Sequence, residues 1–261
     1  MITPTINEVE SKTPFAELLQ GTSSTNSPLG KVINHISESG GKAFSTLSSV
    51  YKSTDGTLEI YAPYLTRLIL EITTTAVVGR LDPFRLLVLA EVQKSSSHDI
   101  GKPNTTSIRW QGDILANDNV KWSQDLKLEN YPRALLGDCW DKFAWQHAVE
   151  EFIDAASEIG EKTVWIEKIC AFDPHRFIPQ LRTNFSNFYS SLSKGIHLEF
   201  VLPPQEKFDL STLSVTIEDA IFWSVTMLTL SNFVDHAAYK LDPVKAMQLL
   251  IKIEQEQNKN A

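Results

Sequence analysis

Cysteine is nearly absent from this chain. Cys139 and Cys170 are its whole complement, too few for a disulfide framework or a cysteine-built zinc site. Positive charge is also short, with 24 Lys and Arg against 32 Asp and Glu and a formal net charge of −8. That balance argues against a broadly basic DNA-binding surface. Long apolar runs are missing too: the longest uncharged apolar-rich stretch, 220–234, falls short of the ~20 residues that a bilayer core requires. The opening Met1-Ile2-Thr3-Pro4 lacks the basic-then-apolar order of a signal peptide. The expectation is an acidic, soluble, cytoplasmic protein with no membrane association. What is present is an ordinary apolar fraction, 42% of 261 residues, enough to build a real core.

The periodicities are helical and predict an all-α bundle of about six main helices. Residues 1–56 read as an N-terminal arm or small helical extension, with the helical pattern broken at Gly40-Gly41. Residues 57–261 read as the bundle domain. In its first helix Tyr61, Tyr64, Leu65, Leu68, Ile69, Ile72 and Ala76 form the core-facing stripe, Arg67, Glu71 and Thr74 fall opposite, and Gly79 is the stop. Leu81-Asp82-Pro83 starts a second helix through Leu86, Leu87, Leu89 and Val92.

An irregular insertion near 95–135 follows, then a third helix from Asp138 along Trp140, Ala144, Ala148, Phe152, Ala156 and Ile159. The fourth carries Phe177, Leu181, Phe185, Phe188 and Leu192. The fifth, 217–237, is apolar on nearly every side and belongs in the middle of a bundle. Leu241-Asp242-Pro243 opens the sixth. A minor strand is expected at most near 164–169 or 196–201. The order apolar residue, Asp, Pro, any residue, then Arg or Lys recurs at 81, 172 and 241, and helix-start chemistry accounts for it as well as a duplication does.

Familiar catalytic signatures are incomplete. Ser39-Gly40-Gly41-Lys42-Ala43 lacks the hydroxyl of a phosphate loop, and a flexible break between helices is the simpler reading. His147 with Glu150, Glu151 and Asp154 has helical spacing, but no His follows a Glu by three and His-Glu-x-x-His is missing, so no metal is assigned. There is no Gly-x-Ser-x-Gly elbow. Glu91-Val92-Gln93-Lys94 mimics part of a nuclease core but lacks the strand beneath it. Within the insertion, Arg109, Trp110, Asp113 and Trp122 are the binding candidates, because Trp and Arg dominate binding hot spots.

One segment has a family flavour. Tyr189-Ser190-Ser191-Leu192-Ser193-Lys194-Gly195-Ile196-His197 reads Tyr-x-x-Leu-Ser-x-x-x-His at the end of an amphipathic helix. It resembles bacterial helical domains of the HEPN type and related abortive-infection proteins. The resemblance covers some twenty residues and implies a small all-α bundle, with RNA cleavage or a defence role as the family's business. Catalytic members carry Arg, four to six residues, then His. Here Arg182 precedes His197 by fifteen, so these two, the candidate catalytic pair, depart from the pattern. Locally, Ser193 and His197 tie down a helix end while Tyr189 packs.

Three functions stay open: a non-catalytic helical interaction protein, as an accessory component of a bacterial defence or stress system; a HEPN-derived RNA-acting enzyme with an altered site; and a metal or small-molecule enzyme within the bundle, requiring an enclosed polar cavity with His147 or His236. The first draws on six Trp and thirteen Phe, more aromatic bulk than six helices obviously need. It implies no cofactor, and a protein partner or homo-oligomer, with RNA as the alternative.

Overall fold

The computed structural model describes residues 12–52, 57–96, 98–99, 141–194 and 209–259. Among them every regular element is a helix, so the all-α expectation stands, with nine α-helices rather than six. They are α1 (Pro14–Gln20), α2 (Pro28–Tyr51), α3 (Leu58–Leu81), α4 (Pro83–Lys94), α5 (Gln146–Ile159), α6 (Val164–Cys170), α7 (Phe177–Ser193), α8 (Leu210–Leu230) and α9 (Pro243–Asn258). A π-helical turn, Asp141–Trp145, leads into α5, and a 3-10 turn, Pro174–Arg176, leads into α7.

Helix starts follow local chemistry. Thr13, Ser27, Asp82, Asp173 and Asp242 each stand before a proline and accept a backbone N–H of the first turn through the side chain. All three Asp-Pro sites are therefore capped helix starts: the Asp82, Asp173 and Asp242 carboxylates accept from the N–H groups of Arg85 (3.2 Å), His175 (3.0 Å) and Val244 (3.0 Å).

Helix α8 is the centre. Ile221, Val225 and Leu228 are fully buried, with Trp223 close to it, as a helix without a polar face demands. The helix spans Leu210–Leu230 rather than 217–237, and Phe233 is buried in the turns that follow it. It has the length and composition of a membrane span, but 72% of that apolar window is buried inside the protein. Helix α3 lies against α2, α8 and α7. Phe177, Leu181, Phe185, Phe188 and Leu192 of α7 are all buried, as their spacing predicts. Among the described residues many aromatic rings pack on one another: Phe172 stacks on Trp223 (5.0 Å between ring centroids, 11° between planes), Trp145 meets Phe177 at 6.0 Å, and Phe15 stacks on Phe44 at 4.7 Å.

Four local expectations are corrected. The pattern does not break at Gly40-Gly41; α2 runs through it, because α1 crosses there so closely that a Cβ on Gly40 would meet Leu19 Cδ1 at 2.3 Å. Phe15, Leu18, Leu19, Phe44 and Leu47 consequently join the same core as α8. Gly79 does not stop α3; it lies inside the helix and admits Leu86 of α4, whose Cδ2 would stand 2.5 Å from an added Cβ.

The buried face of α3 is Ala62, Leu65, Thr66, Ile69, Leu70, Thr73 and Val77, whereas Tyr61 and Tyr64 are exposed and Thr74 is buried. Thr74 is tolerated inside because its hydroxyl donates to the Leu70 carbonyl of its own helix (3.1 Å). Residues 164–169 lie in α6, not a strand; Thr163 caps the helix by accepting from Ile166 N. The alternative strand site, 196–201, lies outside the described residues.

Arg80, near the end of α3, is wholly buried. Its Nη1 donates to Ser231 Oγ (3.0 Å) and Asn232 Oδ1 (3.1 Å), and its Nη2 donates to the carbonyls of Leu18 and Leu19 (3.0 Å to the latter). One guanidinium therefore closes the C-terminal ends of α1 and α8, where helix dipoles favour a cation. Ala238 N–H donates to the Arg80 carbonyl (2.9 Å), which holds the turns after α8 over the same spot.

Candidate functional site

The Tyr-x-x-Leu-Ser segment closes α7, and the structure shows what it faces. Leu192 is in the core, while Tyr189 and Ser193 turn toward Arg67 of α3. The Arg67 guanidinium lies 4.0 Å from the Tyr189 ring centroid, donates to Ser193 Oγ (3.2 Å) and to the Tyr189 hydroxyl, and pairs with Glu71 at 3.4 Å. Tyr189 OH in turn lies 3.5 Å from Glu71 Oε1, and Ser193 Oγ donates to the Tyr189 carbonyl (2.6 Å). These contacts join the two helices, so the cluster fastens α7 to α3. Arg67, which helical spacing sets opposite the core-facing stripe of α3, is the member that no sequence motif marks. Its signal was the i, i+4 spacing to Glu71.

Arg182 is also on α7 and is partly buried. It precedes Ser193 by eleven residues of continuous helix, about 16 Å of axis. It thus stands three turns away from the end of α7 at which His197 follows, and His197 itself lies outside the described residues. So do Arg109, Trp110, Asp113 and Trp122.

His147 is exposed, with Nε2 3.7 Å from Glu151 Oε1, and His236 is exposed in the turns after α8. Neither lines either of the two main clefts described, and no group of three potential metal ligands comes together among the described residues.

Among the exposed apolar side chains of the described residues, those of α4 form a continuous stripe. Leu86 is its one fully buried residue, whereas Phe84 is 76% exposed and Val88 and Val92 are 43% exposed each. These three stand at i, i+4 and i+8, one stripe along the outer face. Ion pairs flank it, Arg85 with Asp82 at 3.4 Å toward the start of the helix and Lys94 with Glu91 at 2.6 Å toward its end. The i, i+4 spacing of Phe84, Val88 and Val92 is visible in the sequence, but spacing alone does not say which apolar side of the helix faces the core.

Comparison with known proteins finds no matching family model, no matching curated protein and no matching solved structure.

Proposed function

We propose that this chain works as a non-catalytic helical interaction protein whose α4 stripe pairs with a second copy of the chain. The observation that carries the reading is the exposed row Phe84, Val88 and Val92 on a helix that buries only Leu86 fully. An antiparallel pairing about a two-fold axis at Val88 sets Phe84 against the second copy's Val92. The same axis sets Asp82 level with Lys94 and Arg85 level with Glu91, so opposite charges meet at both ends.

Covering what the three side chains expose is worth roughly 3 kcal/mol per copy. That is comparable, over both copies, to the low end of the ~4–15 kcal/mol cost of association. The dimer is therefore weak and concentration-dependent. The resemblance of 189–197 to defence-associated helical domains extends the proposal to an accessory component of a bacterial defence or stress system.

Sedimentation velocity from ~10 μM to ~1 mM tests it. The wild type should shift toward a dimer with concentration, while Phe84→Glu, with an unchanged melting curve, stays monomeric. A wild type that remains monomeric throughout, or a Phe84→Glu variant that dimerises equally, refutes the pairing. RNA cleavage by the wild type that is lost in both Arg182→Ala and His197→Ala would replace this reading with that of an RNA-acting enzyme.

A further inference from the structure

A cleft of about 220 Å³ lies where α2, α6, α8 and α9 meet, on surface independent of α4. Its walls include Tyr51, Trp165, Lys168, Glu218, Asp219 and Phe222. Three of these are aromatic. Trp165 and Phe222 meet edge to face, centroids 5.6 Å apart and planes at 70°; Trp165 is partly exposed, while Phe222 is buried beneath the Lys168 ammonium. Two are carboxylates, adjacent on α8. The Tyr51 phenol is pushed well above its usual value by burial, with Glu218 adding to the effect, so it remains a neutral donor.

Two helices also end here. Tyr51 is the last residue of α2, and Gln257 and Asn258, which line the cleft, are the last two of α9. Helix C-termini carry partial negative charge and favour cations. The N-terminus of α6, which would oppose this, is already answered: Thr163 caps it and the buried Glu254 accepts the Trp165 N–H at 3.2 Å.

The cleft also shows an ammonium already in place. Lys168 Nζ lies 4.9 Å from the Phe222 ring centroid and 3.9 Å from Asp219 Oδ1. Its side chain is 52% exposed, so it is free to swing outward. Aromatic faces, carboxylates and helix C-termini are the three features that bind organic cations, and here they converge on one small concavity.

We propose that this cleft binds an organic cation with an alkylammonium head, seated against Trp165 and Phe222 and neutralised by Glu218 and Asp219. The head enters where the Lys168 ammonium now rests and displaces it. Seating one positive charge suits the volume, which lies below the ~300–1,000 Å³ of drug-sized pockets. Two sources carry this chemistry, a free small molecule and a methylated lysine side chain of a partner protein.

Isothermal titration calorimetry on the full chain tests the proposal with three probes. They are choline, its uncharged isostere 3,3-dimethyl-1-butanol, and N-acetyl-trimethyllysine methylamide. A charged probe should bind saturably and at least about tenfold more tightly than the neutral isostere, as expected for cation–aromatic attraction in a partly desolvated site. Glu218→Gln, at an exposed position, should weaken it roughly three- to tenfold. Lys168→Gln, by releasing the Phe222 ring and Asp219, should strengthen it by a similar factor. Choline binding assigns a free ligand, and binding of the lysine derivative alone assigns a partner's side chain. Failure of both charged probes, equal binding of the neutral isostere, or indifference to Glu218→Gln in a variant with unaltered circular dichroism overturns the proposal.

Discussion

Replacing Arg80 gives the sharpest test of how the helix ends are held together. In Arg80→Met the side chain keeps its length and loses its donors. The carbonyls of Leu18 and Leu19 then have no replacement, because Thr22 N–H donates to the Tyr239 carbonyl (2.9 Å) and Ser23 N–H to the Gln20 carbonyl (3.4 Å). Each carbonyl stranded in a buried site costs ~1–3 kcal/mol. Ser231 and Asn232 lose less: Ser231 Oγ still donates to the Leu228 carbonyl (2.6 Å), and Asn232 Oδ1 still accepts from Leu241 N–H (2.8 Å). Against this stands a gain, since the guanidinium is no longer stripped of water. That same burial draws the Arg80 pKa down to about 10, although the group stays charged at neutral pH. The balance is a net loss of about 3 kcal/mol, or roughly 6–12 °C in melting temperature.

Arg80→Lys separates charge from hydrogen bonding. A single ammonium cannot reach the ends of both α1 and α8, yet it keeps the cost of a buried cation, so at pH 7 it should be no more stable than Arg80→Met. A buried lysine has its folded pKa depressed below the unfolded ~10.4. Its penalty is therefore complete below the folded value and is lost as pH rises through it toward ~10.4. Urea denaturation at pH 7 and pH 9.5, each variant measured against the wild type, should show Arg80→Lys recovering and Arg80→Met unchanged. An Arg80→Met protein within 0.5 kcal/mol of wild type would refute the claim that the guanidinium is needed to satisfy both helix ends.

Two further outcomes follow from burial and capping. Leu228→Ala, at a fully buried position in α8, should cost ~2–5 kcal/mol by chemical denaturation, and a loss below ~0.5 kcal/mol would show that α8 is not the centre. Asp209 caps α8 by accepting from Ser211 and Thr212, and these hydrogen bonds hold its pKa down at about 2. The cap is fully present above the unfolded ~3.9 and is lost as pH falls through about 2; a carboxyl-carbon NMR titration with its midpoint at or above 3.9 would contradict it.

Legibility in the sequence tracked how many alternatives each pattern allowed. Helix α8 has no polar face, so burial on every side is its one solution, and α7 repeats its apolar residues in fours and threes, so it admits one orientation. Helix α3 admits two. Its tyrosines compete with a stripe containing Thr66, Thr73 and Thr74, and the threonine side wins because those hydroxyls are short enough to bury beside Ala62 and Ile69. The seven residues of α6, rich in Val, Trp and Ile, are too short to show a period, and only the Thr163 cap betrays a helix. Gly40-Gly41 reads as a break when the chain is taken alone and as a crossing point once α1 is laid over it. The cleft was invisible for a different reason: its walls run from Tyr51 to Asn258 over four helices, and no local spacing joins them.

Conspicuous residues and available residues are therefore different things in this bundle. Arg80 and Arg67 are the charged groups that a search for function would seize first, and both are consumed by the fold, one closing two helix ends and the other fastening α7 to α3. The Tyr189 and Ser193 hydroxyls, which carry the family resemblance, are spent on the same fastening. A group engaged in this way gains little from a ligand, because most new bonds must first break an existing one. Lys168 is held more loosely, half exposed with one carboxylate at 3.9 Å and one ring, and Phe84 is held by almost nothing. Displacing Lys168 or covering Phe84 costs little, so a partner's contribution at either place survives as net affinity.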